Sequence, residues 1–142
     1  MIKFSGLDFV KIDKSNLKSL ARKIAAVKGY RIKKIQYNFV DNAKIMKINK
    51  EFLNHDEPTD IITFDYTDKK IVSAEVFISR EELCANAAKN AQMPENEVVR
   101  LVSHAILHCL GYKDKTKEQK QTMREKENEY INLFHVKHAL DV

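Results

Sequence analysis

Tryptophan is absent, and the 142 residues include only two prolines, three glycines and two cysteines. So little proline and glycine excludes a collagen-like or low-complexity chain, and no repeat or linker interrupts the sequence. Two cysteines close one bridge at most, which excludes a disulfide framework. Cys84 and Cys109 both fall in apolar helical patterns, where a free thiol packs as a small hydrophobe. A reactive Cys109 thiolate beside His108 is the sharper reading, disfavoured because adjacent helix positions point in different directions. No stretch approaches the roughly 18 apolar residues of a membrane helix. Met1-Ile2-Lys3-Phe4-Ser5-Gly6 contains no apolar run of export-signal length. A cytoplasmic location without a membrane partner is the expectation.

What is present is an ordinary globular composition, 44% hydrophobic and 32% charged, at a length near the commonest for one domain. Residues 1–142 are therefore expected to share one core. The charge is unevenly placed. Residues 1–50 hold 13 Lys/Arg against 3 Asp/Glu, a balance of +10; residues 51–142 hold 12 against 17, a balance of −5, and the two sum to the net +5. A basic half points to a polyanionic partner, because Lys and Arg gain affinity for phosphate by releasing counterions. A solvated helix face accounts for the same residues equally well.

Leu17, Leu20, Ala21, Ile24 and Val27 recur at helical spacing before Gly29, predicting a helix over about residues 15 to 28. Ile35, Tyr37 and Phe39 alternate as in a strand, and a second helix follows with Ile45, Ile48, Asn49 and Phe52 on one face. Residues 61 to 66 and 71 to 78 read as a hairpin around a turn at Thr67 to Lys70. Ser79-Arg80-Glu81-Glu82 is a capping-box signature opening a third helix to about Gln92. A fourth helix starts at Pro94, is apolar nearly all round and leaves at Gly111. Thr116-Lys117-Glu118-Gln119 is a second capping box, opening a long helix with Met123, Tyr130, Ile131 and Phe134 toward the core.

Two histidines interrupt the apolar fourth helix. His104 and His108 stand at i and i+4, stacked on one face near enough to grip a single ion. A buried imidazole must find hydrogen-bond partners or a metal, so such a pair is costly without a role. Catalytic zinc sites usually take three protein ligands and leave a fourth position for water. Asp114 is the natural third, since Gly111 permits a left-handed exit that folds the chain back toward the helix end. The bland reading leaves Asp114 a solvated loop acid between Lys113 and Lys115. The H-E-x-x-H peptidase motif needs a glutamate directly after the first histidine, and here that position is Ala105. Metal-assisted hydrolysis of another bond is unaffected, because a bound ion acidifies its water and polarises a phosphoryl oxygen.

His104-Ala105-Ile106-Leu107-His108-Cys109-Leu110-Gly111-Tyr112-Lys113-Asp114 resembles H-G-x-L-H-L-x-G-Y-D-H, the signature of the YbeY endoribonuclease family. Asp114 stands where that family has its third histidine; a carboxylate makes the ion a weaker Lewis acid and admits harder cations such as manganese. Pro58-Thr59-Asp60-Ile61-Ile62-Thr63-Phe64 resembles the family's P-T-D-V-L-S-F, and follows Asn49 and Phe52 as the family's L-N-x-x-[YF] does. The family's next arginine, expected to meet RNA phosphate, is replaced by Leu53. His55 or an N-terminal lysine is the candidate substitute. Glu75 falls where the family's G-D-I-x-I strand carries its acid. It is either a group orienting a ligand or water, or an edge-strand acid facing solvent. His135 and His138 lack an accompanying acid or cysteine cluster and read as surface residues.

The resemblance spans roughly residues 40 to 131. It implies an α+β fold, zincin-like, with a mixed sheet of about four strands and about five helices, and the metal motif on a buried central helix. It further implies an endoribonuclease directed at single-stranded RNA in rRNA processing and ribosome maturation, using one divalent ion, zinc first. Two other classes stand beside it: a non-catalytic ribosome maturation factor with a structural metal, and a metallopeptidase-like hydrolase.

Overall fold

The computed structural model describes residues 1–53 and 59–140, with side chains for all of these except 53 and 137–140. Four strands form one mixed sheet: β1 (Ile2–Ser5), β2 (Arg31–Val40), β3 (Ile61–Asp65) and β4 (Ile71–Ser79). Their spatial order is β1-β2-β4-β3. The first three in that order run parallel, and β3 closes the sheet antiparallel to β4 as the expected hairpin. Lys69 and Lys70 turn that hairpin with positive φ of 49° and 62°. The parallel pairs require crossovers, supplied by α1 (Lys14–Val27) between β1 and β2, and by α2 (Asn42–Leu53) with β3 between β2 and β4.

The helices divide between the two faces. Ile35, Tyr37 and Phe39 of β2 and Val72, Ala74, Val76 and Ile78 of β4 pack with α1 and with α4 (Pro94–Cys109). Over α4 lies α5 (Lys117–Leu140), which presents Met123, Tyr130 and Phe134. The other face carries a smaller cluster, in which Ile45 and Ile48 of α2 meet Ile62, Phe64 and Phe77. The α3 helix (Arg80–Lys89) packs against α4 from the side. Val98, Val99, Val102 and Ile106 are fully enclosed, and the Tyr37 hydroxyl donates to the Val102 carbonyl at 3.0 Å. Thus α4 is the helix around which the larger core is built.

Several expectations are corrected by local competition. The strand over 35 to 39 extends back to Arg31, where lysines hid the alternation and a bulge interrupts pairing at Ile32/Lys34. Ser79 does accept from the Glu82 N–H at 3.1 Å, but the box is only half formed. The Ser79 N–H instead donates to Asp60 O at 2.9 Å, and the Glu82 carboxylate accepts from Asn42. The third helix stops at Lys89, and Ala91 turns away with φ 53°. Cys84 is exposed, off the buried Leu83 and Ala87 stripe, so only Cys109 packs as expected. Phe52 is 67% exposed and meets Phe64 only edge-on. His135 bonds Asn96 and lies 3.8 Å from Glu95, joining α5 to the start of α4.

Gly6 follows β1 with φ 74°, and a Cβ built there would meet the Phe39 carbonyl oxygen at 2.2 Å. Both the backbone conformation and the contact exclude a side chain. Gly6→Ala is expected to destabilise the fold by roughly 1–2 kcal/mol for the left-handed backbone alone, and by more once Phe39 shifts. Urea unfolding monitored by circular dichroism measures this; an unchanged midpoint contradicts it.

Candidate active site

Most of α4 beyond its first turn is apolar, and its charged and histidine side chains mark one face. Glu97, Arg100, His104 and His108 follow at helical spacing. Arg100, His104 and His108 open on a cavity of about 700 Å³ between β3, α3, α4 and α5, to which Thr59, Asp60 and Asp114 also contribute walls. The two sequence motifs, separated in the chain, converge on this cavity.

The end of α4 explains how Asp114 reaches it. Gly111 adopts φ 101°, its N–H donates to His108 O at 3.0 Å, and the Tyr112 N–H donates to Leu107 O at 3.1 Å. These are the paired bonds of a Schellman turn, which reverses the chain and satisfies the last helical carbonyls. The following stretch is pinned by a complete capping box. Thr116 Oγ1 accepts from the Gln119 N–H, while Gln119 Oε1 accepts from the N–H groups of Thr116 and Lys115, all at 3.1 Å. Asp114 lies between these two anchors with Oδ2 at 3.5 Å from His104 Nε2. Two donors about 2.0–2.2 Å from one tetrahedral ion stand roughly 3.4 Å apart, so this spacing suits shared coordination.

The opposite nitrogen of the same ring is held from α5. His104 Nδ1 lies 2.7 Å from Glu127 Oε2, and Glu127 is 2% exposed. A carboxylate without a proton only accepts, so a hydrogen bond at this contact takes the proton on Nδ1, and Nε2 faces Asp114. Glu127 Oε1 in turn accepts from Arg100 Nη1 at 3.4 Å. Arg100 also donates through Nε to Glu97 Oε1 at 2.7 Å and lies 3.6 Å from Asp60 Oδ2. Burial opposes charge on the guanidinium, but the bonds and charges of Glu97, Glu127 and Asp60 outweigh it and raise the Arg100 pKa further.

His108 lines the cavity but is exposed, without the buried anchor that His104 has. Among the described residues no three His, Cys, Asp or Glu side chains are gathered tightly enough to grip an ion as they stand. The His104–Asp114 half is preformed, and His108 remains open beside it.

Glu75 is elsewhere. It is exposed, pairs across the ladder with Phe64, and lies on the α2 face of the sheet, whereas its neighbours Ala74 and Val76 face α4. A sheet therefore separates Glu75 from the histidines. Nor is it an edge-strand acid, since β4 is flanked by β2 and β3. His55, the other candidate, lies outside the described residues, as does Pro58 of the second motif.

Comparison with known proteins gives this geometry its kinship. A family model described as Endoribonuclease YbeY matches residues 4–135. The chain belongs to the YbeY family. The Endoribonuclease YbeY of Flavobacterium johnsoniae is 46% identical over 102 residues, covering 72% of this chain and 73% of that protein. The Endoribonuclease YbeY of Christiangramia forsetii is 38% identical over 133 residues, covering 94% of this chain and 93% of its own length. A solution structure of a Thermotoga maritima protein superimposes with a TM-score of 0.70 at 23% identity, covering 99% of this chain and 93% of that one, and supports the fold alone.

Within this YbeY chain, sequence reasoning missed Glu127 and Arg100. Glu127 does carry a signal: it keeps phase with Met123, Tyr130 and Phe134, so a carboxylate occupies the buried stripe of α5. Arg100 similarly interrupts Val98-Val99 and Leu101-Val102, one turn before His104.

Cys109 is no thiolate. Burial, and then the charge of Asp65, push its pKa up to about 12. Raised above its ordinary value, the thiol stays protonated at pH 8, so native protein treated with iodoacetamide is expected to label at exposed Cys84 and not at Cys109. Mass mapping reads the sites, and rapid native labelling of Cys109 contradicts the assignment.

Proposed function

We propose that this YbeY protein is a metal-dependent endoribonuclease directed at single-stranded RNA, working in ribosomal RNA processing and ribosome maturation in the cytoplasm. The observation that carries it is the His104 ring held at Nδ1 by buried Glu127, with Nε2 turned to Asp114 across 3.5 Å. His104, His108 and Asp114 are the proposed ligands; two imidazoles and a carboxylate suit zinc first and manganese next. A divalent ion bound there supplies Lewis acidity and an acidified water. The fold is then zincin-like in its use of a buried helix to present two histidines.

The residues of this chain bind and orient. Lys89 of α3 and Lys120 and Arg124 of α5 line the same cavity, so cations bracket the histidines from two sides. A single strand crossing between α3 and α5 places its phosphates among them and one phosphodiester beside the histidines. These cations come from residues 51–142, not from the lysine-rich first fifty residues that composition favoured. A peptidase reading has less support, because Ala105 is 1% exposed and faces the core where H-E-x-x-H requires a catalytic glutamate.

Purified protein is expected to cleave single-stranded RNA and to lose that activity to a chelator. His108→Ala and Asp114→Ala are each expected to lower kcat by at least about 100-fold, the upper end of the loss from an outer-shell partner. Undiminished cleavage in all three cases excludes this function. Unfolding on chelation by a protein that never cleaves RNA instead favours a maturation factor with a structural metal.

The route across the cavity is tested separately. Lys89→Ala with Lys120→Ala is expected to weaken RNA binding and to flatten the dependence of log affinity on log salt by about 1.4, at roughly 0.7 per phosphate contact on a single strand. Fluorescence anisotropy across a salt series measures it. An unaltered slope moves the RNA elsewhere on the surface.

A further inference from the structure

We propose that Arg100 is a positioning residue for the histidine site: it clamps the Glu127 carboxylate in the one orientation that holds the His104 ring with Nε2 toward the cavity. This rests on the proposed function for its consequence in catalysis, and on hydrogen-bond geometry for its existence.

Glu127 divides its two oxygens between two partners. Oε2 takes the His104 ring nitrogen at 2.7 Å, and Oε1 takes Arg100 Nη1 at 3.4 Å, with Arg124 Nη1 farther off at 3.8 Å. A carboxylate held at one oxygen still swings about its Cγ–Cδ bond; held at both, its plane is fixed, and the imidazole bonded to it is fixed in turn. Arg124 is a poor substitute as the second hold, because its side chain is 56% exposed while that of Arg100 is 13% exposed.

A purely structural role accounts for less of this arrangement. Glu97 alone meets Arg100 at both Nε and Nη2, which satisfies an ion pair within α4. The guanidinium nevertheless lies against two further carboxylates from other elements, Glu127 on α5 and Asp60 at the start of β3. Asp60 is itself fixed, its carboxylate accepting from Asn86 Nδ2 at 3.2 Å and its carbonyl from the Ser79 N–H at 2.9 Å. Arg100 stands one helical turn before His104 on the same face of α4. One planar cation therefore sets the β3 wall, the α5 carboxylate and the α4 imidazole against one another, a task for which a fork of five donors is suited and a point charge is not.

The test reads the ring directly. In the metal-free protein, ¹⁵N NMR of the imidazole is expected to show His104 protonated at Nδ1. Replacing Arg100 by methionine strands buried carboxylates, so the working variant is Arg100→Gln combined with Glu97→Gln, which removes one charge of each sign. With the fold intact by circular dichroism, this variant is expected to show mixed His104 tautomers and zinc affinity lower by about 10- to 100-fold. It is also expected to lose kcat without a change in KM for RNA. Arg100→Lys, which retains the charge but not the fork, is expected to fall between the two.

A wild-type His104 protonated at Nε2 and not at Nδ1 overturns the proposal. So does a folded double variant or Arg100→Lys protein with the wild-type tautomer and zinc affinity, even if its RNA cleavage falls. Wild-type protein that cleaves no RNA but shows the expected tautomer and affinity changes refutes the nuclease reading and upholds the role of Arg100.

Discussion

A helix enclosed on most sides carries charged groups where another element meets them, and past its first turn α4 sets Glu97, Arg100 and His104 along a single line. An uncompensated carboxylate or imidazole in such a place costs several kcal/mol. The hydrogen bond between Glu127 and His104 removes that penalty for both groups at once, and Arg100 neutralises part of the remaining charge. Everything else about the cavity follows from where this contact must lie. α5 has to cross α4 at the level of His104, the chain has to reverse at Gly111 to let it return, and the reversal carries Asp114 past the ring.

The two halves of the site differ in kind. His104 is anchored from behind and partly buried, whereas His108 and Asp114 are exposed. The Glu127 contact thus gives the His104 ring a fixed direction, while His108 and Asp114 face solvent. The cations lining the cavity, Lys89, Arg100, Lys120 and Arg124, come from α3, α4 and α5.

Most elements were legible because their patterns were clean: the stripe of α1, the continuous apolar run of α4, the hairpin and the second capping box all formed as spacing implied. The N-terminal half of β2 was hidden by Arg31, Lys33 and Lys34, whose side chains stand in solvent and break the alternation. Glu75 faces solvent, as one of its two readings had it, and the side of the sheet it takes was readable from its parity. Val72, Ala74, Val76 and Ile78 all take the larger core, which leaves an odd-numbered acid on the reverse face. Glu127 was harder to find, since Glu125, Lys126 and Glu129 around it make one more acid unremarkable until the phase of α5 is traced. The histidine pair announces itself by spacing along one helix; the carboxylate that holds His104 belongs to another helix, and only packing brings the two together.

The position of Glu127 ties the site to the seating of a helix that carries none of its proposed ligands. Any fluctuation that lifts α5, with Met123 and Tyr130, off the core also withdraws the acceptor from His104 and opens the wall bearing Lys120. The competence of the cavity is thus thermodynamically linked to local undocking, and surface or core changes far along α5 reach the imidazole by shifting that equilibrium.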